Sequence, residues 1–254
     1  MNFSSITKTT ESGWGETIKV ILQALILALI VRIFFYQPFN IPSGSMKSTL
    51  LVGDYLFVSK LSYGYSRYTF PYGIIPFDGR IPSSWAPERG DVAVFKLPRD
   101  NSTDYIKRVI GMPGDTVQMR NGVVVINDKE VPKKRVEDFE TRSRTGLRIR
   151  IPQYEETLPN GVKYRVLDAE QNGPSDDTIL FRVPAGHYFM MGDNRDNSAD
   201  SRVQVGMVPH QNLVGRAEII FFSADTGPGG NFSVFMPWTW PLGLRWSRFF
   251  NFVR

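Results

Sequence analysis

The hydrophobic pattern separates an apolar N-terminal segment from a long region of short, alternating segments. Residues Ile18 to Tyr36 read IKVILQALILALIVRIFFY, with an unbroken apolar run from Ala24 to Val31. As a helix rising about 1.5 Å per residue, this segment would be about 28 Å long, close to the hydrocarbon thickness of a bilayer. The pattern predicts an N-terminal tail over residues 1–16 and a transmembrane anchor over residues 17–37.

Two other interpretations of this segment are a cleavable secretory signal and a buried core helix. A secretory signal would have a positive n-region and a small-residue cleavage site, whereas this run ends in Arg32, Phe34 and Phe35. A core helix would show a polar stripe, and this segment has little of one. The anchor is therefore favoured, and we expect Pro38 to stop the helix. The flanking charges are nearly balanced, so they indicate the orientation only weakly.

The rest of the chain alternates between apolar and polar positions in short runs that predict β-strands. The predicted strands are Asp54–Lys60, Asp91–Lys96, Asp104–Ile110, Thr116–Met119, Val123–Ile126, Ile179–Val183, Tyr188–Met191 and Arg216–Phe222. Asn121-Gly122, between two of them, indicates a type I′ hairpin turn. We therefore expect a mainly β protein: a single N-terminal transmembrane helix followed by an antiparallel β-sheet domain with a smaller β cap or insertion.

The expected division of the soluble part is a β core over residues 38–115 and 185–254, with the cap or insertion over residues 116–184. Within the cap, Lys133–Pro174 is rich in basic residues, which could suggest nucleic-acid binding. Acidic residues such as Glu156 are interspersed, so a solvated face is the favoured interpretation.

Two further segments are rich in aromatic residues, Tyr63–Glu88 and Phe232–Phe252. The first is predicted to be a long loop or irregular hairpin. The second combines Trp and Arg, which suits a bilayer interface. Packing of its rings against the β core is an equally good interpretation, and the sequence leaves both open.

The amino-acid composition limits the kinds of catalytic and metal-binding site that this chain can form. The chain has a formal net charge of +5, no cysteine and two histidines, His187 and His210. Disulfides, thiolate metal sites and a cysteine nucleophile are excluded. A Ser-His-Asp triad has few histidines to draw on, so we expect that a catalytic base in this chain, if there is one, is not histidine.

Two polar clusters lie beside predicted strands. Ser43 and Ser45 flank a glycine in IPSGSM, where the backbone can turn sharply and present a hydroxyl. In the strand DYIKRVI, Tyr105, Lys107 and Val109 share one face. Burial among apolar groups would lower the pKa of this lysine and make it a general base. Taken singly, a linker and an exposed lysine are the more common meanings of these patterns.

A third polar cluster, from Gly192 to Arg202, reads GDNRDNSADSR. It superficially resembles a calcium loop, but the register fails, because position 12 counted from Asp193 is Gln204 and not Glu. We expect a hydrogen-bonded turn with an internal Asp–Arg pair, which could bring Ser198 up to a lysine amine.

Taken together, the clusters resemble the successive sequence boxes of bacterial type I signal peptidases. The matching blocks are IPSGSM, GDYLFVSKLSYG, RGDVAVFKLP, DYIKRVIGMPGD and GDNRDNSADSR, in that order and behind an apolar segment. The resemblance covers about residues 36–115 and 186–222. One departure is Ser48, where the family often has proline.

This resemblance implies a serine/lysine dyad. Ser45 would be the nucleophile and Lys107 the general base. The supporting residues would be Ser43 in the oxyanion hole, Ser198 on the lysine amine, and Asp200 and Arg202 as a bracing pair. The positions lining shallow pockets for small substrate side chains would be Ile41, Met46, Tyr105 and Ile106.

The implied function is that of a membrane-anchored serine endopeptidase that removes N-terminal signal peptides from exported preproteins, with an alkaline activity optimum. No metal and no cofactor are expected. The partners would be signal peptides and membrane lipid, with the translocation machinery as a further candidate and no nucleic acid. The location would be the bacterial inner (cytoplasmic) membrane, single-pass, with the catalytic domain on the periplasmic side.

Two other classes of protein remain open at this stage. A membrane-tethered, non-catalytic β-rich binding module would account for the anchor and the aromatic residues, but it leaves the Ser–Lys–Ser set as coincidence. An autoproteolytic DNA-binding repressor also uses a Ser–Lys dyad, but it would need an N-terminal helix-turn-helix where this chain has an apolar segment.

Overall fold

The N-terminal apolar segment forms one long helix. The structure is a computed structural model that describes residues 13–70, 75, 77–142, 147–226, 230 and 232–253. Helix α1, Trp14–Phe34, has 21 residues and none of them is buried. By length and composition it is the one helix among the described residues that could cross a membrane. The predicted tail over residues 1–16 lies mostly outside the described residues.

Helix α1 ends earlier than the sequence suggested. Pro38 was expected to stop it, but the helix ends at Phe34 and Pro38 lies inside the first strand, Tyr36–Asn40. A proline restricts the residue before it to extended backbone, so the chain leaves the helix upstream of the ring. The last helical carbonyls are satisfied by outside donors, because Lys60 Nζ donates to Ile33 O and Tyr65 Oη donates to Phe34 O.

The remainder is built mainly from β-strands. Their bounds are β1 Tyr36–Asn40, β2 Asp54–Ser59, β3 Val92–Lys96, β4 Asp104–Gly111, β5 Thr116–Arg120, β6 Val123–Ile126, β7 Lys129–Glu130, β8 Lys133–Arg135, β9 Phe139–Arg142, β10 Arg148–Ile151, β11 Gln153–Thr157, β12 Lys163–Leu167, β13 Phe181–Arg182, β14 His187–Met191, β15 Val208–Pro209, β16 Leu213–Ser223 and β17 Asn251–Phe252. A short helix, α2, spans Trp240–Gly243. The prediction of a mainly β protein behind an apolar helix is confirmed.

Eight strands form the main sheet, in the order β1-β2-β16-β3-β4-β14-β15 with β17 also paired to β16. All of these pairings are antiparallel. The other strands form three smaller sheets, β13-β5-β6-β7, β12-β11-β8 and the hairpin β9-β10. Asn121 and Gly122 join β5 to β6 with φ of 48° and 73°, as a type I′ turn requires.

The core fixes the small sheets against the main sheet. One apolar cluster joins Ile110 of β4 and Met191 of β14 to Val117, Val124 and Val166 of the smaller sheets. Two others pack the faces of the main sheet itself. Because side chains alternate along a strand, β4 contributes to both faces and to the junction. The predicted site residues lie around this junction.

Candidate active site

The structure brings Ser45 and Lys107 together. Ser45 lies in the turn between β1 and β2, and Lys107 lies in β4. Lys107 Nζ is 2.5 Å from Ser45 Oγ, within hydrogen-bond distance. Both side chains are buried, with 8% of Ser45 and 3% of Lys107 exposed. The arrangement places an amine against a hydroxyl in a largely water-excluded setting.

The surroundings of Lys107 favour its neutral form. Burial lowers its pKa from 10.5 to about 8, while Asp200 and Asp193 act in the opposite direction and Arg202 adds to the lowering. About half of such lysines are neutral at pH 8, against about one in 300 at the ordinary pKa. The Tyr105 ring centre lies 5.5 Å from Nζ, on the strand face that the alternation predicted. The site therefore contains a lysine that can act as a base near neutral pH.

The turn that carries Ser45 is held by Asn194. Asn194 donates its backbone N–H to Ser45 O at 3.0 Å and its side-chain Nδ2–H to Gly44 O at 2.9 Å. Ser43 Oγ lies 3.4 Å from Ser45 Oγ, on the same turn. The hydroxyl of Ser43 is thus close to the nucleophile position. Sequence reasoning missed Asn194, although it belongs to the cluster that was singled out.

Ser48, the departure from the family pattern, lies three residues after Ser45. Its φ is 88°, a conformation that a proline ring cannot adopt. Its hydroxyl donates to Arg165 O of β12 at 2.6 Å. The turn is therefore tied to a small sheet at this point.

Asp200 and Arg202 form the expected buried pair, with Arg202 Nη2 2.9 Å from Asp200 Oδ2. Burial opposes ionisation of Asp200, but Arg202 and the Gly192 N–H hold its pKa below the ordinary value. Ser198 Oγ is buried close to Asp200 and also lowers the pKa of that carboxyl, although no described residue meets full hydrogen-bond geometry with it. Its bond to the Lys107 amine therefore stays a prediction.

A second ion pair supports the same turn and was not predicted. Arg108, next to Lys107 in β4, donates to both carboxylate oxygens of Asp193, at 2.9 and 2.7 Å. Thr49 Oγ1 also donates to Asp193, at 2.5 Å. Arg108 and Asp193 are fully buried. The expected Asp–Arg pair within the Gly192–Arg202 turn, Asp200–Arg202, is thus only part of the network. Asp193 of the same turn binds Arg108, which lies in strand β4.

Most charged residues of Lys133–Pro174 that the structure describes are exposed or half-buried, as expected of a solvated face, but a third buried pair makes Glu156 an exception. Glu156 of β11 is fully buried and binds Arg195 with both carboxylate oxygens, at 2.9 and 2.6 Å. The Tyr164 hydroxyl also donates to Glu156, at 2.6 Å. The buried charge of Arg195 needs an oppositely charged partner, and Glu156 is that partner. The segment therefore helps to hold the turn that follows β14.

An open groove of about 930 Å³ passes over Ser45 and Lys107. Three of the four predicted substrate positions, Ile41, Tyr105 and Ile106, line it. The fourth, Met46, is fully buried in the core and is not among the groove residues. Although it directly follows Ser45 in the chain, its side chain packs in the core of the main sheet.

Two strand edges face this groove. Strand β1 is at the end of the main sheet. Strand β14 pairs with β4 only at Arg108, Val109 and Gly111. Among the described residues, Asp104 to Lys107 therefore have no strand partner on the β14 side. Unpaired backbone groups at both edges can bind an extended peptide.

Comparison with known proteins matches the sequence to one family over most of its length. The family model described as "Signal peptidase, peptidase S26" matches residues 14–222. Signal peptidase I of Rickettsia conorii is 43% identical over 228 residues, 87% of this chain and 82% of that protein. The corresponding protein of Rickettsia prowazekii is 42% identical over 224 residues, 85% of this chain and 81% of that protein.

A solved structure of a signal peptidase I from Enterococcus faecalis is 25% identical and covers 52% of this chain and 96% of that chain, with a TM-score of 0.30. The family assignment rests on the sequence matches, which extend over most of the chain. The chain therefore belongs to the signal peptidase family, peptidase S26.

Proposed function

We propose that this S26 peptidase is a membrane-anchored serine endopeptidase that removes signal peptides from exported preproteins with a Ser45/Lys107 dyad. The observation that carries the proposal is the 2.5 Å approach of Lys107 Nζ to Ser45 Oγ in a buried setting that lowers the lysine pKa to about 8. The names of the relatives, signal peptidase I, supply the substrate class.

The proposed reaction begins with proton transfer. The neutral amine of Lys107 takes the proton of Ser45, whose oxygen attacks the carbonyl carbon of the scissile bond. The Ser43 hydroxyl and the Ser45 backbone N–H stabilise the negative oxygen of the tetrahedral intermediate. The lysine returns the proton to the departing amine. It then activates the water that hydrolyses the acyl-enzyme, which restores Ser45.

The groove suits an extended substrate with small side chains. Strand β1 is antiparallel to β2, β2 to β16, β16 to β3 and β3 to β4, so β1 and β4 run in the same direction. A peptide lying between their free edges would hydrogen-bond to both. Ile41 and Ile106 contribute shallow apolar walls beside the dyad. Alanine fits such walls better than a larger residue, in agreement with an A-x-A cleavage site.

The anchor would be α1. Its 21 residues correspond to about 31 Å of helix, enough to cross a bilayer. Because α1 ends only two residues before β1, the groove would lie near the membrane surface. We place the protein in the bacterial cytoplasmic membrane, with the β domain on the outer side, where an exported signal peptide emerges.

The test uses detergent-solubilised protein and a purified preprotein, with the products identified by mass spectrometry. One cut after the A-x-A sequence is expected. Replacing the alanine directly before the cut with phenylalanine should abolish that product, because the proposed subsite beside Ile41 and Ile106 takes only small side chains. Binding of the preprotein without any cut would instead support the non-catalytic module.

A further inference from the structure

The groove does not end at the dyad. A second cavity of about 380 Å³ opens beside it, and Lys47 and Arg142 line both cavities. Leu51 and Val52, which follow the nucleophile turn, form one wall of the second cavity. The β9–β10 hairpin forms another, through residues that include Arg148. The active-site groove and this cavity are therefore adjacent, with Lys47 and Arg142 between them.

The position of the second cavity relative to the anchor assigns it to one side of the cut. In the β1–β2 pairing, Tyr36 lies opposite Ser59 and Asn40 lies opposite Tyr55. The cavity wall at Val52 is thus at the end of the sheet away from Tyr36, where α1 joins. A signal peptide that leaves the membrane near Tyr36 and runs along β1 reaches Ser45 first. The chain after the scissile bond, which is the start of the mature protein, continues towards the second cavity.

The charges in this cavity are not balanced. Arg245 is paired with Asp225 at 2.7 Å, and Glu140 is paired with Arg150 at 3.0 Å. Lys47 and Arg148 also line the cavity, and neither forms an ion pair with a residue in the described part of the chain. Two cationic side chains thus face the path of the mature segment without an acidic partner.

The hairpin also has one apolar face. Strands β9 and β10 pair with each other and with no other strand of the described chain. Opposed residues share a face, so Ile149 and Ile151 lie on the side opposite Arg142 and Arg148. Ile149 is 40% exposed, and both isoleucines line the active-site groove. A two-stranded hairpin gains stability when such a face is covered, and a peptide in the groove would cover it.

We propose that the β9–β10 hairpin, together with Lys47, binds the first residues of the mature chain and favours acidic side chains there. This inference rests on the proposed function. It makes the hairpin a determinant of which preproteins are cut efficiently. The attraction acts between partly exposed charges, so it should be modest and sensitive to salt.

The experiment compares one preprotein in three versions that differ only at the second and third residues after the cut: Glu-Glu, Ala-Ala and Lys-Lys. At low salt, kcat/KM of the wild-type protein should be about fivefold higher for Glu-Glu than for Lys-Lys, from one attraction and one repulsion of ordinary surface strength. In R148E the ratio should fall to about one or below. The matched control is R182E, which reverses the charge of an exposed strand arginine that lines neither cavity and forms no ion pair with a described residue, and which should keep the wild-type ratio.

Salt gives a second readout that does not depend on a variant folding correctly. Raising the salt from about 0.05 to about 0.5 M shortens the screening length and should bring the wild-type ratio towards one. Equal cleavage of all three versions at low salt, or the same change of ratio in R182E as in R148E, would overturn the hairpin inference alone. If the wild-type protein cuts no version, or if Ser45→Ala cuts all of them, the proposed function itself fails.

Discussion

Lys107 occupies a position that costs the fold free energy. Its side chain is 3% exposed, and no carboxylate forms an ion pair with it among the described residues. Asp200 and Asp193 attract the charged form from a distance, but burial dominates and the pKa falls to about 8. A pKa lowered by burial is a free-energy difference between protonation states, about 1.4 kcal/mol for each unit. The same burial that destabilises the ammonium form would supply the neutral amine that the proposed reaction needs as its base.

The first prediction concerns the pH dependence of activity. Because only the neutral amine accepts a proton from Ser45, kcat/KM should rise with pH and level off above about pH 8. The active fraction would be about one tenth at pH 7 and about nine tenths at pH 9. Rates of preprotein cleavage between pH 5 and 10 measure this, and a steady fall above pH 7 would contradict it.

The second prediction is a stabilising substitution at the same residue. Lys107→Met keeps the length of the side chain and removes the buried amine, so the free energy of unfolding at pH 7 should rise by about 1 to 3 kcal/mol while activity is lost. Wild-type stability should approach that of the variant between about pH 8 and 10.5, since the unfolded lysine still holds a proton there and the folded one does not. Thermal unfolding at pH 7 and 10 tests this, and a less stable variant at pH 7 would contradict it.

For single residues, the alternation of side chains along β4 was enough to predict that Lys107 and Tyr105 share one face of the strand. It was not enough to pair Arg108 with Asp193, which is 85 residues away in the chain. Nor did it indicate that Asn194 would clamp the Ser45 turn. Such contacts depend on how two strands and a turn pack, and no local pattern encodes them.

Among the elements, the turn after β14 is packed closely against the turn that carries Ser45. A Cβ added at Gly192 would lie 2.2 Å from Ser198 Oγ and 2.6 Å from the backbone oxygen of Ser45. The Ser198 hydroxyl could rotate away, but the backbone oxygen belongs to the turn that carries Ser45. Glycine is therefore required by close approach of two backbones, not by its φ angle.

The third prediction follows from this contact. Gly192→Ala should displace the Ser45 turn and lower kcat by at least about tenfold, with about 1 to 3 kcal/mol lost in stability. The matched control is Gly173→Ala, whose nearest neighbour would be 3.5 Å away and which should behave as wild type. Equal activity of the two variants in a cleavage assay would contradict the argument.

The fourth prediction concerns the link between the cap and the active-site turn. Glu156→Gln removes the charge that compensates buried Arg195, and the free energy of unfolding should fall by about 3 to 5 kcal/mol. Glu140→Gln breaks an exposed pair with Arg150 and should cost less than about 1 kcal/mol. Denaturant unfolding measures both. A Glu156 variant no less stable than the Glu140 variant would show that the pair contributes little.

Most elements could be predicted from periodicity and turn residues. The strand predicted over Ile179–Val183 is shorter in the structure, at Phe181–Arg182. The hairpin at Asn121-Gly122 forms as expected because both residues tolerate positive φ. The helix end was placed too late because the effect of Pro38 on the residues before it was underestimated. The role of Glu156 was missed because a buried acid and a solvated one are indistinguishable in a charged segment.

For the whole molecule, the structure places one apolar helix directly before the edge strand of an antiparallel sheet. The C-terminal segment packs on that sheet through β17 and through Arg248, which is 2.6 Å from the buried carboxylate of Asp54. Several of its rings are exposed, including those of Trp238 and Trp246. Both interpretations of this aromatic segment thus retain support, and its contact with lipid stays a prediction.

The order of strands in the sheet was beyond sequence reasoning, because β16 pairs with β2 and β3 across more than a hundred residues of intervening chain. That order is what brings the Ser45 turn, Lys107 and the Gly192–Arg202 turn to one place. The resemblance to a family implied a role for each of these three segments, but not how they are held together. The geometry adds the buried pairs that hold them.

The most direct test of the dyad measures cleavage of one preprotein by the wild-type protein, Ser45→Ala and Lys107→Ala under identical conditions at pH 9. Thermal unfolding of all three proteins serves as the control for folding. We expect complete cleavage by the wild-type protein and no product from either folded variant above the uncatalysed level. Substantial cleavage by either variant would contradict the assignment of Ser45 as nucleophile and Lys107 as base.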